Sequence, residues 1–385
     1  MIERYINIIL FLLTFVFWNC NRLILHEPMK LAATTSNTNR NNTERTDVAH
    51  DTVKPPLTVA WNYDAMAGFS AHAGIVEDSI LFVANLRGEV HAIHSRTGKG
   101  LGKYDFGSSI IGLPIVDGQF LYVALTRNEE NLIAYNLHNG TVRWHIKIGD
   151  VETSPLLVGN RLYITTLDGK LICVEKATGE IMWTYEVPQH DRLKFICSSP
   201  ASNENIIVLG CDDGNVYAVG IENGKLLWRS TTNCSITASP SINNGKVFVG
   251  SHDGSFYAFD LQTGKQIWMK PLGSKIYSSQ SVSSQFVYIG TAGGFVYCLD
   301  GETGTTVWQT QTNSVINATP VLSGNVLYVG CTDKILYAFD AMTGNILWQY
   351  KAEGRIKTMP VIAKHYVFLF VEDRSVIALK EEEAK

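Results

Sequence analysis

The sequence lacks the short motifs that carry most catalytic chemistry. It contains no Cys-x-x-Cys pair, no Gly-x-Ser-x-Gly nucleophile turn and no glycine-rich phosphate loop, so nothing in it favours a thiol redox enzyme, an α/β hydrolase or a nucleotide-binding fold. It also lacks a surplus of positive charge, since 32 basic residues face 36 acidic ones for a net charge of −4. Because nucleic-acid binders use a basic surplus to neutralise phosphates, we expect no nucleic-acid partner.

What the sequence does contain begins with an apolar run near the start. Ile6 to Trp18 is interrupted only by Asn7 and Thr14, and a helix of about 13 residues spans roughly 20 Å, short of the ~30 Å hydrocarbon core. This length is typical of an export signal, so residues 1–20 are interpreted as a signal peptide that places the rest of the chain in the periplasm. An uncleaved N-terminal anchor is the alternative.

Cys20 follows the apolar run at the point where bacterial lipoproteins are cleaved and acylated, which makes Cys20 a candidate lipidation site. The preceding Phe17 to Asn19 differ from the small residues usual at such a site, so the acylation stays open. Residues 21–56 are expected to form a flexible tether, because Thr34 to Thr46 contains no apolar residue to bury. Residues 381–385 are expected to be a tail.

Between these segments the sequence repeats itself. A glycine that follows Thr or Asn recurs about every 40 residues, and a Trp lies four residues after six of these glycines. The glycines are Gly98, Gly140, Gly179, Gly224, Gly264, Gly304 and Gly344. The tryptophans are Trp144, Trp183, Trp228, Trp268, Trp308 and Trp348. After Gly98 the Trp is missing, and Tyr104 is the nearest substitute.

Each repeat is predicted to form four short antiparallel strands, A to D. In one repeat, strand A is predicted at residues 236–241, B at 246–250, C at 255–260 and D at 266–270, with turns at Asp253-Gly254 and Thr263-Gly264. A period of this length with four strands per unit predicts an all-β β-propeller. We interpret the tryptophans as packing between neighbouring units.

The two ends of the repeat region complete each other. Residues 356–380 supply strands A, B and C of a last unit but no D strand, while Trp61 stands in a strand-like stretch with no unit before it. If Trp61 lies in the missing D strand, the ring closes with eight four-stranded blades over residues 57–380. Closure by the first and last strands removes exposed sheet edges.

The repeated line Tyr-Ala-x-Asp-x-x-Thr-Gly-Lys-x-x-Trp, as at residues 257–268, resembles the repeat of the quinoprotein (PQQ-like) propellers. That superfamily includes pyrroloquinoline quinone dehydrogenases and the non-catalytic group around the outer-membrane assembly lipoprotein BamB. The second group is similar in plan: a signal, a tether and eight plain blades. This resemblance implies a monomeric periplasmic scaffold, anchored to the outer membrane if Cys20 is lipidated, that supports assembly of outer-membrane β-barrel proteins through contacts with a barrel-assembly (BamA-like) factor.

The alternative functions are a quinone-dependent dehydrogenase and an extracytoplasmic sensor or ligand-binding propeller. The resemblance to the dehydrogenases implies a vicinal disulfide, calcium ligands and a free aromatic floor. The seven cysteines include no adjacent pair, and all tryptophans after the signal fall in the repeat position. We therefore predict no catalytic, cofactor or metal residues. Cys197 and Cys211 lie on neighbouring predicted strands and could pair in an oxidising compartment; the sequence leaves this open.

One connection is longer than the others. The spacing from Gly179 to Gly224 is 45 residues, and the extra residues fall in Val187 to Ile196. Basic and apolar side chains alternate there, a mixture suited to a protein partner. The predicted partner-binding residues are Arg192, Leu193, Lys194 and Phe195. Resemblance to the BamB group, whose corresponding connection carries leucines and an arginine, favours the same role. The alternative is that Phe195 begins the next strand A.

Overall fold

The described part of the protein consists of strands and their connections. In this computed structural model, which describes residues 23–25, 42–188 and 197–382, there are 32 β-strands and no helix. The described residues accordingly hold no helix long and apolar enough to cross a membrane. The strands form eight four-stranded antiparallel sheets, each a blade in which A, B, C and D lie side by side in that order. The predicted all-β eight-bladed propeller is confirmed.

The strands of the first seven blades follow one another along the chain. Blade 1 contains β2 Gly74–Glu77, β3 Ile80–Ala84, β4 Glu89–His94 and β5 Gly100–Asp105; blade 2 contains β6 Ile115–Asp117, β7 Phe120–Ala124, β8 Leu132–Asn136 and β9 Thr141–Ile146; blade 3 contains β10 Leu156–Val158, β11 Arg161–Thr165, β12 Lys170–Glu175 and β13 Ile181–Glu186. Blade 4 contains β14 Ala201–Ser202, β15 Ile206–Gly210, β16 Asn215–Gly220 and β17 Leu226–Thr231; blade 5 contains β18 Ser241–Asn243, β19 Lys246–Gly250, β20 Ser255–Asp260 and β21 Gln266–Pro271. Blade 6 contains β22 Ser281–Val282, β23 Phe286–Gly290, β24 Phe295–Asp300 and β25 Thr306–Gln311; blade 7 contains β26 Val321–Ser323, β27 Val326–Gly330, β28 Ile335–Asp340 and β29 Ile346–Lys351.

Blade 8 joins the two ends of the chain. Its strands are β30 Val361–Ala363, β31 Tyr366–Phe370, β32 Ser375–Glu381 and, as strand D, β1 Leu57–Asp64. Trp61 pairs with Ala378, the register that the other tryptophans take with an Ala or Cys of their own strand C. The predicted closure by first and last strands is therefore confirmed, and strand β32 extends one residue beyond the predicted boundary at residue 380.

Strand A is shorter than the sequence predicted and begins further along the chain. In blade 5 the prediction was residues 236–241, whereas β18 spans Ser241–Asn243. The backbone N–H of Ile236 donates to Cys211 O of blade 4, and that of Ser239 donates to Ser279 Oγ of blade 6. Pro240 has no backbone N–H and cannot donate a hydrogen bond to strand B. The residues before strand A thus bond to neighbouring blades instead of to strand B.

Six of the eight seams between blades are built from one Trp and one Gly. Trp268 is 8% exposed, its Nε1 donates to Gly301 O at 3.2 Å, and a Cβ added to Gly304 of the next blade would lie 2.7 Å from the indole ring. Gly304 also has a φ of 71°, a conformation that other residues rarely adopt. The same Gly-on-Trp contact occurs at five further seams: Gly98 on Trp61, Gly179 on Trp144, Gly224 on Trp183, Gly264 on Trp228 and Gly344 on Trp308.

The seam between blades 1 and 2 is different. Tyr104 packs across it, with its ring centroid 4.5 Å from that of Tyr135 in blade 2, but from a position two residues after the tryptophan register. The residue in register with the tryptophans is Gly102, which pairs with Ala92, and it has no side chain to offer. Instead, Ile24 covers Gly140, whose added Cβ would lie 2.7 Å from Ile24 Cγ1. Leu23 and its neighbours thus replace the missing indole from outside the repeat.

Leu23–Leu25 is held at this seam by backbone bonds and burial. Leu25 N donates to Leu137 O at 2.8 Å, and the Tyr135 hydroxyl donates to Leu23 O at 3.1 Å. Leu23 is fully buried and Leu25 is 8% exposed, in the same apolar cluster that Tyr104 packs against. We refer to residues 23–25 as the seam peptide.

A second part of the predicted tether is also packed, so the expectation of a free tether over 21–56 is wrong for residues 42–53. These residues, which we call the channel segment, run past the innermost strands of successive blades. Their carbonyls accept backbone hydrogen bonds from Ser202 in blade 4, Ile242 in blade 5, Val282 in blade 6 and Leu322 in blade 7. Residues 42–46, which contain no apolar side chain, are held largely through these backbone bonds, whereas Ala49 and Val53 later in the segment are buried in the apolar cluster of blades 7 and 8.

Candidate functional site

The predicted partner-binding residues Arg192, Leu193, Lys194 and Phe195 lie outside the described residues, as does the predicted lipidation site Cys20. The structure describes both ends of the 187–196 connection. On one side, Val187 is buried and its N–H donates to Gly169 O at 2.9 Å. On the other, Cys197 is 3% exposed. The connection therefore starts and ends at fixed points of blades 3 and 4.

Cys197 and Cys211 form a disulfide, which resolves the pairing that the sequence left open. The bond joins the residue that ends the long connection to the end of strand B in blade 4, 14 residues later. Ser198 N donates to Gly210 O at 2.7 Å beside it. This cross-link anchors the C-terminal end of the 187–196 connection to the propeller, and it fits an oxidising compartment.

Next to this anchor, the central channel opens into a cavity of about 180 Å³. Its lining comes from the connections that precede the strands A of blades 1 to 7, with Cys197 itself on the wall. Strands A of neighbouring blades contact each other, which places them around the axis. Since strands alternate in direction, D–A connections and B–C turns share one end of the propeller, which we call the cavity end. The A–B and C–D turns share the other, which we call the turn end.

The lining of the cavity is mostly hydroxyl groups, many of them already used in structure. Ser199 Oγ accepts from Ser154 N at 2.9 Å, and Ser154 Oγ accepts from Leu113 N at 3.1 Å, so hydroxyls link one blade to the next. Thr153 Oγ1 donates to Thr165 O at 2.8 Å. The polar lining thus stabilises the ring as well as facing the cavity.

The channel segment contributes a charged group beside this cavity. Arg45 is fully buried, its Nε donates to Pro200 O, and its Nη2 donates to Ser154 O at 3.1 Å. Asp47 is also fully buried, and its carbonyl accepts from Ser281 Oγ at 2.8 Å. Sequence analysis assigned both residues to the tether and missed them, because neither belongs to a motif.

The cavity does not fit a quinone cofactor. Pyrroloquinoline quinone is a tricarboxylate, and buried anions need cationic partners. The described residues that line the cavity include no Lys, Arg or Trp, and their one acidic residue is Glu152. The described part of the chain also holds no group of three His, Cys, Asp or Glu side chains with the spacing of a metal site. A volume of about 180 Å³ lies below the roughly 300 Å³ at which ligand pockets usually begin.

A second polar cluster lies in blade 1, at its seam with blade 8. Glu89 is 5% exposed and accepts from Lys103 Nζ at 2.7 Å and Asn85 Nδ2 at 2.9 Å. His91, 1% exposed, lies 3.3 Å from Glu89 through Nε2 and 2.9 Å from the Tyr63 hydroxyl through Nδ1. A neutral imidazole can donate at Nε2 and accept at Nδ1, which satisfies both contacts.

This cluster takes the place of a Tyr–Asp pair in other blades. Tyr257, for example, donates to Asp253 at the position that His91 occupies in blade 1. Burial would raise the pKa of Glu89, but hydrogen bonds from Lys103, Asn85 and His91 outweigh it and lower that pKa to about 2. Burial lowers the pKa of His91, and Glu89 opposes this only in part. The folded state therefore favours a charged Glu89 and a neutral His91.

We predict that acidification weakens this seam through His91. Its folded pKa lies below its unfolded value near 6.5, so its contribution to stability is complete above that pH and is lost as the pH falls below it. Stability should therefore decline from pH 7.5 to pH 5, and His91→Gln should flatten the decline. Urea denaturation at several pH values across this range measures the free energy of unfolding. His138→Gln, which changes an exposed histidine, is the control, and an unchanged slope in His91→Gln would refute the prediction.

Known proteins resemble the chain in both sequence and fold. A family model, that of outer membrane protein assembly factor BamB, matches residues 53–150, 87–310 and 292–385. Outer membrane protein assembly factor BamB of Burkholderia pseudomallei is 26% identical over 185 residues, which cover 46% of this chain and 47% of that protein. Quinoprotein alcohol dehydrogenase PedH of Pseudomonas putida is 26% identical over 164 residues, which cover 41% of this chain and 22% of the enzyme.

Among solved structures, BamB from Moraxella catarrhalis matches with a TM-score of 0.73 and 17% identity, covering 84% of this chain and 99% of that one. At this identity the likeness establishes the fold alone. The chain spans about half the length, or less, of the curated relatives it matches.

Proposed function

We propose, from the premise that the chain belongs to the family of outer membrane protein assembly factor BamB, that it is a non-catalytic scaffold of the cell envelope. In this proposal it supports assembly of outer-membrane β-barrel proteins by docking to a barrel-assembly factor. The N-terminal apolar run directs it to the periplasm and attaches it to a membrane, through Cys20 if that residue is acylated. The 187–196 connection is the docking surface.

The observation that carries the docking role is the way this connection is held. It is the long connection of the repeat, and the disulfide from Cys197 to Cys211 fixes its end at the rim of the cavity. A binding segment with fixed ends loses less conformational entropy on association than one with free ends. Arg192 is chosen as one central contact because arginine is enriched among the residues that dominate interface energies, and Leu193 as the other because it is the adjacent large apolar side chain.

The competing proposal is a quinone-dependent dehydrogenase, and it is motivated by the sequence similarity to PedH. The cavity supports it poorly, because its described lining offers a single carboxylate and no cation for a tricarboxylate cofactor. Arg45, the cation beside it, already donates to the carbonyls of Pro200 and Ser154. No catalytic step is therefore assigned to the chain.

Titration with pyrroloquinoline quinone tests this choice. The purified protein should leave the absorption spectrum of the quinone unchanged, with or without calcium, and should oxidise neither alcohols nor sugars. A quinoprotein dehydrogenase treated in parallel provides the positive control. Saturable perturbation of the quinone spectrum together with alcohol or sugar oxidation would overturn the scaffold proposal.

A further inference from the structure

The seam peptide lies very close in sequence to the N-terminal apolar run. Leu23 lies three positions after Cys20 and five positions after Trp18. An extended chain covers at most about 3.6 Å per residue, so these gaps span no more than ~11 Å and ~18 Å. Whichever way the N-terminus is attached to a membrane, the attachment point must lie within that reach of the seam between blades 1 and 2.

The seam peptide also defines which end of the propeller is near that attachment. It covers Gly140 and bonds to Leu137, both in the C–D turn of blade 2, and C–D turns belong to the turn end. The channel segment meets the same end, where Lys364 N donates to Asp51 Oδ2 and Gly324 contacts Thr52. The seam peptide and residues 51–52 of the channel segment therefore lie at the turn end, whereas Arg45, earlier in the channel segment, bonds to Ser154 O beside the cavity.

The C–D turns of the two blades that meet the seam peptide carry exposed basic side chains. The A–B turns of the same blades hold Glu77, Asp78 and Asp117, of which Asp117 is paired with Lys176 at 2.7 Å. The C–D turns of blades 1 and 2, residues 95–99 and 137–140, contain no acidic residue. Arg96, Lys99 and His138 are exposed there. Basic side chains close to a membrane are attracted to anionic headgroups over about one Debye length, roughly 8–10 Å. We name these two turns the basic rim.

We propose that the basic rim lies against the membrane that holds the N-terminus, with the seam peptide as the fixed link between anchor and propeller. The proposal rests on the membrane attachment in the proposed function and adds an orientation to it. Because the cavity end lies opposite, Val187 and Cys197, the described residues at the two ends of the 187–196 connection, face away from the bilayer. A soluble partner domain could then reach that connection while the chain remains attached.

Lipid quenching of site-specific fluorophores tests this orientation. The full chain carrying Cys234→Ser, which removes an exposed thiol, is reconstituted in vesicles of phosphatidylethanolamine and phosphatidylglycerol that contain nitroxide-headgroup lipid. Single cysteines are labelled with bimane at two exposed rim positions, Thr97→Cys and His138→Cys, and at two exposed controls. Glu129→Cys lies at the cavity end of blade 2, and Gln262→Cys lies on the C–D turn of blade 5, across the ring. The Cys234→Ser parent gives the background to subtract.

We expect the rim labels to be quenched at least twofold more than both controls. Ile24→Asp should abolish this difference while leaving the chain on the vesicles, and Ile24→Val should preserve it. Equal quenching at all four positions in vesicle-bound protein would overturn the orientation and leave the attachment intact. A chain that does not co-sediment with vesicles at all would instead refute the membrane attachment in the proposed function, and the orientation with it.

Discussion

Deleting residues 57–63 is expected to cost the propeller several kcal/mol and to lower its melting temperature by about 5 °C or more. These residues supply most of β1, which pairs with β32 from Leu57 opposite Glu381 to Asp64 opposite Ser375. Without them β32 becomes an exposed edge whose ladder groups lose their partners, and the Trp61 ring no longer covers Gly98. Blade 8 would keep three strands, and its seam with blade 1 would lose its central contact.

Point variants distinguish the loss of ring closure from a general effect of shortening the chain. Trp61→Ala keeps the backbone of β1 but removes the ring that packs on Phe368 and donates to Ser95 O at 3.0 Å, and should cost roughly 3 kcal/mol. Val59→Thr, in the same strand at a side chain 50% exposed, should change stability by less than about 0.5 kcal/mol. If the deletion melts within a degree of the parent, β1 does not close the ring.

Most of the fold could be predicted because six of the eight seams repeat one steric requirement. A Trp must meet a glycine of positive φ in the next blade, as Trp268 meets Gly304, and this requirement imposes a sequence period that can be counted. The orphan Trp61 then predicts the closure. Blade 1 breaks the period, and there the prediction was incomplete: Tyr104 packs on Tyr135 of blade 2, but the tryptophan register itself is occupied by Gly102. Gly102 provides no side chain, and the filler, Ile24, lies nearly 80 residues away in a stretch without a repeat.

The channel segment shows a second limit of sequence reasoning. Its carbonyls bond to the N–H groups of Ile242 and Val282, and backbone groups are the same in every sequence. Arg45 satisfies Pro200 O and Ser154 O, contacts that depend on where the ring places two carbonyls. The composition of residues 34–46 predicted a mobile tether. Composition indicates how much apolar surface a segment can bury, but it does not indicate which hydrogen bonds the backbone of that segment can form.

The largest functional effect is expected from the 187–196 connection. Reversing its chemistry with Arg192→Glu and Leu193→Glu together should weaken docking to the barrel-assembly factor by about 100-fold or more, because interface anchors are each worth ~1–3 kcal/mol. The variant should fold normally, with unchanged far-UV circular dichroism and melting temperature. Phe195→Ala distinguishes the alternative role of that residue: if Phe195 begins a buried strand, this variant loses stability instead of affinity.

A matched control comes from the same blade. Lys225, the last residue of the C–D turn of blade 4, and Leu226, the first residue of β17, are adjacent and exposed. Lys225→Glu with Leu226→Glu therefore makes the same chemical change at the turn end. This control should leave docking intact, because the proposed surface lies at the cavity end. Loss of docking in both double variants would indicate a general effect of added negative charge.

The most direct measurement is co-purification of the barrel-assembly factor from native envelopes with the tagged full-length chain and its two double variants. The account predicts that the wild-type chain and the Lys225/Leu226 variant retain the factor, whereas the Arg192/Leu193 variant retains less than about a tenth as much, in line with the expected affinity loss. A folded Arg192/Leu193 variant that retains as much factor as wild type would contradict docking through this connection. Absence of the factor from the wild-type sample itself would contradict the assembly role.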